Sequence, residues 1–271
     1  MSTTTATADT VDVLRARRAL LRPVRDGLLV AGRNLIAYRR VPQLLVFSTI
    51  QPVIFVLLFR YVFGGAIRIP GVRYVDFLMP GIFVQTTVFG AIGTAVGLAA
   101  DLKSGLLERF RSLPMARSAV LSGRTVADLA RNIFVAALMA GVGVAVGFRV
   151  HTNAVSFLFG MVLVLLFGYA MSWIFATVGL AVGDPETAQA AAFPVMAPLV
   201  FASSAFVLVD TMPRWLQAFA AHQPVSVTAS AVRALVLGGP TTSYVLQSIA
   251  WSAGILIVFA PIAVRRYRRA V

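Results

Sequence analysis

The apolar positions of this chain do not form the 3.6-residue stripe of a soluble helix or the alternation of a half-buried strand. They form long, nearly unbroken runs separated by short polar or basic segments. Runs of about 20 residues match the thickness of bilayer hydrocarbon. Six spans are predicted: Gln43–Phe63, Phe77–Ala100, Asn132–Phe148, Val155–Val182, Ala188–Val209 and Val245–Val264. Lipid satisfies no backbone hydrogen bonds, so each span is expected to be a helix, and the fold class is all-α polytopic membrane protein. Polar punctuation falls inside some spans. Gln51-Pro52 places an amide and a helix-kinking residue near the middle of the first. Gln85 lies in the first half of the second, followed by Gly90, Gly93 and Gly97, a spacing that lets another helix approach closely. Asp128 and Arg131 are expected at the cytosolic mouth of the third span, and Pro194 and Pro198 kink the fifth.

Three stretches depart from this pattern. Between the second and third spans, Leu106, Leu107, Phe110 and Leu113 fall on one face of a short helix, with Glu108, Arg109, Arg111 and Ser112 on the other and Pro114 ending it. Two turns cannot sustain themselves in water. The stripe must therefore dock, either on lipid headgroups or in a groove of a soluble partner. Before the first span, residues 23–40 read as a basic amphipathic helix along the membrane surface, with Arg25, Arg33, Arg39 and Arg40 on its polar side. Before the last span, residues 210–244 hold apolar pieces too short to cross. They read as two half-membrane helices joined near Pro224, or else as a small external cap. Residues 1–22 are expected as a flexible basic tail, 43–264 as the six-span bundle and 265–271 as a second basic tail, with no separate soluble domain.

Charge orients this arrangement. The 271 residues carry a formal net charge of +14, which in a soluble protein would suggest nucleic acid. Here eighteen of the 24 Lys/Arg fall before the first span, between the second and third, or after the last. Those segments share one side of the membrane if there are six spans. The positive-inside rule then puts both termini and the short amphipathic helix in the cytosol. Cysteine is absent and only two histidines occur, so thiolate chemistry and a His-rich metal site are excluded.

A transporter needs an energy source, and the chain offers none of the usual ones. Gly97 through Lys103-Ser104 has the length of a phosphate-binding loop, but Leu102 stands where glycine is required and the segment ends a membrane helix. ATP is not expected to bind this chain. The acids fall in tails, loops or span ends, with Asp76 and Asp128 the closest to a span interior, which argues against ion coupling. No paired carboxylates or Ser/His/Asp set share one depth, so no catalytic, cofactor or metal residues are assigned. Gln51 and Gln85 are candidates to line a path, or to hydrogen-bond between helices.

Several motifs together resemble a known family. They are Gln51-Pro52-Val53-Ile54-Phe55 with Tyr61-Val62-Phe63-Gly64-Gly65; Phe77-Leu78-Met79-Pro80-Gly81; Glu108-Arg109-Phe110-Arg111-Ser112-Leu113-Pro114-Met115; Ser203-Ser204-Ala205-Phe206 with Met212-Pro213; and Gln223-Pro224-Val225 with Arg233-Ala234-Leu235. The chain resembles the permeases of ABC-2 type transporters, in the daunorubicin-resistance branch, although Val207-Leu208-Val209 lacks the proline expected there. The resemblance implies a permease dimer in a bacterial plasma membrane, carrying two ATPase subunits that bind ATP and magnesium. It makes residues 106–114 the ATPase-coupling helix and implies outward transport of amphipathic drug-like or lipid-like cargo. A polysaccharide or glycolipid exporter is the neighbouring alternative. An ATP-independent channel or an ion-coupled carrier is the alternative from another class. Partners are then the ATPase, a second permease and lipid, with no nucleic acid.

Overall fold

The computed structural model describes residues 42–67, 69–105 and 117–270, and among them every regular element is a helix. The basic amphipathic segment 23–40, with Arg25, Arg33, Arg39 and Arg40, and the coupling segment from Leu106 to Pro114 lie outside the described residues.

Helix α1 runs Pro42–Leu57 with Pro52 inside it, and its ladder widens to a π-helix over Leu58–Phe63. Helix α2 spans Tyr74–Lys103 and α3 spans Arg117–Ala145. Helix α4, Ala154–Val182, opens on an Asn153 side chain that accepts from the Ser156 N–H at 2.7 Å and closes on Gly183 in the left-handed region. Helix α5, Pro185–Phe201, follows a one-residue cap in which Asp184 accepts from the Thr187 N–H at 3.1 Å. After a short irregular stretch come α6, Arg214–His222, and α7, Pro224–Leu237, which meet at Gln223. Helix α8 runs Thr241–Ala270.

Four of these helices, α2, α4, α8 and the Arg124–Ala145 part of α3, are long and apolar enough to cross a membrane. The chain is therefore a multi-pass membrane protein. Pro42–Phe63 covers the expected first span, whereas α5, at 17 residues, is shorter than the expected fifth span.

The bundle is built around α2, whose first half is buried almost all round. Its closest neighbour is α4, and small residues make the crossing tight. A Cβ on Gly179 would lie 2.3 Å from the Ala95 carbonyl oxygen, and one on Gly168 would lie 2.8 Å from the Thr87 side chain. Helix α7 is buried along nearly its whole length, and α8 packs across it and α4. Apolar side chains such as Val155, Leu158, Val162, Leu246 and Ile257 remain on the outside, as lipid-facing surfaces should.

Three expectations about spans change. The third helix begins fifteen residues before Asn132, so Asp128 and Arg131 lie inside the helix. A helix of apolar and small residues tolerates an embedded polar stripe when a neighbouring helix partners it. The fifth helix stops at Phe201, eight residues short of Val209, because residues 202–208 turn back over the end of the bundle. The last helix continues to Ala270 and carries Arg265, Arg266, Arg268 and Arg269 on its final turns. Leu208 takes φ −67° and ψ 139°, a geometry compatible with proline, although no proline occupies this stretch.

Candidate functional site

Two places concentrate the buried polar side chains. The first is a knot at the end of the bundle where α2 begins. Arg233 of α7 is buried, and its Nε donates to the Phe77 carbonyl at 2.9 Å. One terminal nitrogen donates to Ser204 Oγ at 3.2 Å. The other donates to the carbonyls of Ser204 and, at 3.0 Å, of Ala205. The guanidinium also lies 3.7 Å from the centre of the Phe77 ring. Ser226 Oγ accepts from the Ser204 N–H at 2.8 Å, and the Gln223 amide donates to the Leu199 carbonyl at 2.9 Å. Gly81 presses against the same turn: a Cβ there would lie 2.1 Å from the Ala205 carbonyl oxygen. Beside it, the fully buried Asp76 accepts from Arg73 Nε at 2.9 Å and from the Arg149 N–H at 2.9 Å, with His151 Nε2 at 3.1 Å.

The chain segments 77–81, 203–206, 223–225 and 233–235 are far apart in sequence and meet in this knot. The arrangement is structural. Irregular backbone over residues 202–208 carries carbonyls that no helix satisfies, and one planar guanidinium satisfies several at once. His222, the other histidine, hydrogen-bonds the Ala218 carbonyl of its own helix at 3.0 Å.

The second place is a cavity of about 430 Å³ halfway along the bundle, between α1, α2, α3 and the start of α5. Gln51 and Gln189 are exposed at its edge, while Gln85 and Asn132 are buried in its wall at 3% and 4% exposure. The two glutamines singled out from the sequence thus line one cavity. Gln85 Oε1 and Asn132 Nδ2 have no hydrogen-bond partner among the described residues. Phe89, Ile92 and Val135 supply apolar wall. Arg131 completes it, 9% exposed, its Nη2 donating to the Gly90 carbonyl at 2.6 Å and lying 3.3 Å from Asn132 Oδ1.

The glycine stripe of α2 has a different use from the one its spacing suggests. It does not bring a second backbone close. A Cβ on Gly93 would lie 2.7 Å from Arg131 Nη1, and one on Gly97 would overlap the Arg124 guanidinium. The glycines make room for arginine side chains of α3. Along the same seam, Arg124 pairs with Asp101 at 2.6 Å and Thr94 donates to Asp128 at 2.6 Å. Arg131 and Asn132 are not among the site residues expected from the sequence, because hydropathy starts the third span only at Asn132. The available signal is the stripe Arg124, Asp128, Arg131, which recurs at i, i+4, i+7 and faces the glycines.

At the other end of the bundle, Lys103 at the end of α2 pairs with Asp184 at 2.6 Å. That bond, together with the Thr187 N–H and hydroxyl, holds the Asp184 carboxyl down at about 2.

Comparison with known proteins decides the family. The model of the ABC-2 type transporter matches residues 27–237. The chain belongs to the ABC-2 type transporter family. It is 34% identical over 269 residues to the daunorubicin resistance ABC transporter permease protein DrrB1 of Streptomyces coeruleorubidus, covering 98% of this chain and 95% of that one. It is 29% identical over 260 residues to the probable doxorubicin resistance ABC transporter permease protein DrrC of Mycobacterium tuberculosis, covering 95% and 88%. The putative transport permease ycf38 of Cyanophora paradoxa is 25% identical over 219 residues, covering 78% and 74%. This chain is thus an ABC-2 permease, the membrane subunit of an ABC exporter, and permeases of this kind work with an ABC ATPase.

Proposed function

We propose that the chain forms the membrane path of an ATP-driven exporter in a bacterial plasma membrane, with both termini cytosolic. Pro42–Phe63 and α5 complete six spans, and α6 and α7 form a re-entrant pair that dips from the outer face to Gln223. The observation that carries this reading is the polar, partly unsatisfied cavity halfway along the bundle, in a chain of this family. Polar side chains facing a cavity inside a membrane bundle mark a pathway more often than a packing device.

ATP and magnesium bind the partner subunits, two per transporter, and a second permease completes the path. Residues 106–114 couple the two: when the ATPases close on ATP, the stripe of Leu106, Leu107, Phe110 and Leu113 moves with them. The spans then re-pack from inward-open to outward-open. Gln51 and Gln85 contact the cargo, an amphipathic drug-like or lipid-like molecule. The relatives named for daunorubicin and doxorubicin resistance favour the drug-like class over polysaccharide.

The test is co-purification. The chain is isolated in mild detergent from its native membrane, and ATPase activity is measured in the eluate. A co-purifying ATP-hydrolysing subunit, lost when Leu107 and Phe110 are both changed to Asp, supports the reading. A clean chain without such a subunit would favour an ATP-independent channel or an ion-coupled carrier.

A further inference from the structure

One face of α8 carries two grooves in succession. The first has a volume of about 410 Å³ and lies between α4, the end of α5, the α6–α7 junction and α8. Met171, Ile174, Leu199, Trp251, Ile255 and Phe259 make its wall apolar. His222 and Gln223 touch it too, and both are bonded within the protein, to the Ala218 and Leu199 carbonyls. The second groove, of about 250 Å³, is lined by Ile262, Arg265, Arg266 and Arg269. These three arginines are exposed, and none forms an ion pair among the described residues.

Helical geometry joins the two. Trp251, Ile255, Phe259, Ile262, Arg266 and Arg269 recur at i, i+4, i+8, i+11, i+15 and i+18, which is one stripe of α8. Helix α8 is long and apolar enough to span, so its arginine end falls at a headgroup layer. At 1.5 Å per residue, Ile255 and Arg266 lie about 16 Å apart along the axis, which matches the roughly 15 Å of hydrocarbon in one leaflet. The stripe therefore offers an apolar groove one leaflet long with a basic pocket at its polar end. A soluble anion would use the arginines and leave the groove empty. A neutral lipid would fill the groove and leave the guanidiniums without a counter-charge. A molecule with a long acyl chain and a phosphate head of net negative charge uses both, and guanidinium forks match phosphate oxygens.

We propose that this face of α8 binds one anionic membrane phospholipid, with its phosphate held by Arg265, Arg266 and Arg269 and an acyl chain lying past Ile262 into the groove at Ile255 and Trp251. The exporter reading enters only through orientation, which puts the arginine end in the cytosolic leaflet; the lipid preference is tested without it. The experiment uses the full chain with its co-purified ATPase in nanodiscs of phosphatidylcholine. Increasing fractions of phosphatidylglycerol or phosphatidylcholine with dibrominated acyl chains are incorporated, because bromine quenches tryptophan only at close range. The part of the quenching that disappears in Trp251→Phe reports the groove.

One arginine at an anionic surface gives a preference of about fivefold, so half-maximal Trp251 quenching is expected at a fraction of phosphatidylglycerol at least about fivefold below that of phosphatidylcholine. Changing Arg265, Arg266 and Arg269 together to Gln should level the two lipids. Arg268→Gln lies outside the pocket and should keep the preference. Equal quenching by the two lipids, no quenching assignable to Trp251, a preference that survives the triple variant, or one that Arg268→Gln abolishes as fully would each overturn the proposal. Should the triple variant fail to fold, unbrominated lipid decides: ordinary phosphatidylglycerol should relieve the quenching better than phosphatidylcholine, and equal relief overturns the site. A wild type without lipid preference whose triple variant loses the ATPase would assign the arginines to an acidic surface of that partner and overturn the site as well. A lipid preference without ATP-driven transport would support the site and remove the exporter reading, and transport without a preference would do the reverse.

Discussion

The Arg233 knot and the Arg131 cavity are built from the same materials with opposite outcomes. Each buries one arginine that donates to backbone carbonyls, beside glycines that admit it or its neighbours. At the knot, every nitrogen of Arg233 finds an acceptor, and Gln223 and Ser226 are bonded in turn. At the cavity, the Gln85 and Asn132 amides each keep a buried atom unpaired. A fully satisfied polar network fixes one backbone arrangement, whereas a half-satisfied one is costly unless something arrives to complete it. The contrast separates what holds this bundle together from what it is able to receive.

The largest effect should follow from Arg233→Leu. It orphans the carbonyls of Phe77, Ser204 and Ala205, each buried. At roughly 1 kcal/mol or more per orphaned acceptor, the loss is on the order of 3 kcal/mol. Little monodisperse protein should remain after membrane expression and size-exclusion chromatography. Arg233→Lys should recover only part of it, since an ammonium cannot span those acceptors. Wild-type yield from Arg233→Leu would erase the distinction between the two regions.

Next in size is a matched pair of glycine changes. Gly81→Ala drives a methyl group to 2.1 Å from a backbone oxygen that cannot retreat without dismantling the knot. A cost of about 1–3 kcal/mol is expected, read as a lowered unfolding temperature. Gly93→Ala meets only the tip of the Arg131 side chain, at 2.7 Å. It should leave the unfolding temperature nearly unchanged, because the flexible guanidinium can move aside. Equal destabilisation by the two would mean that the cavity is as rigidly specified as the knot.

How much of the molecule is legible in its sequence follows the same division. The apolar runs locate the central helices, because span length is a direct reading of bilayer thickness. Asn153, Gly183 and Asp184 mark helix ends by chemistry that a sequence carries openly. Gln51 and Gln85 stand out as polar residues inside apolar runs, and they do line one cavity. Arg131 is harder. A hydropathy reading stops a span at the first charges it meets, so a span that carries Arg124, Asp128 and Arg131 against a facing glycine groove is trimmed to its apolar part. The knot is unreadable for another reason. Its contacts join Phe77 to Arg233 and Ser204 to Ser226, and which segments meet is set by how the helices fold back.

A third pair of changes is smaller and has opposite signs. Gln85→Leu removes an acceptor that already lacks a partner. It should leave the unfolding temperature equal to or slightly above wild type. Gln223→Leu removes the donor to the Leu199 carbonyl and the acceptor of the Val225 N–H. It should destabilise by about 1–2 kcal/mol. Destabilisation by Gln85→Leu of similar size would mean that this amide is bonded in the native protein, and the cavity would then be a packing feature.

The smallest effect tests a contact that belongs to neither region, the exposed pair Lys103–Asp184. The Asp184 carboxyl is held at about 2, first by the hydrogen bond from Lys103 and then by the Thr187 N–H and hydroxyl. Its folded value lies below the ordinary carboxylate value of about 3.9. Any stability it contributes is therefore complete above about pH 4 and lost as the pH falls towards 2. Asp184→Asn keeps an acceptor for the helix start and removes the charge. At pH 7 it should lower the unfolding temperature only slightly, because exposed ion pairs contribute little. On acidification below pH 4, the wild type should lose slightly more stability than the variant, and the two curves should converge near pH 2. A clear gap at pH 7 would mean that this pair fastens the end of α2 to the start of α5, giving the bundle a second polar fastening at the opposite end from Arg233.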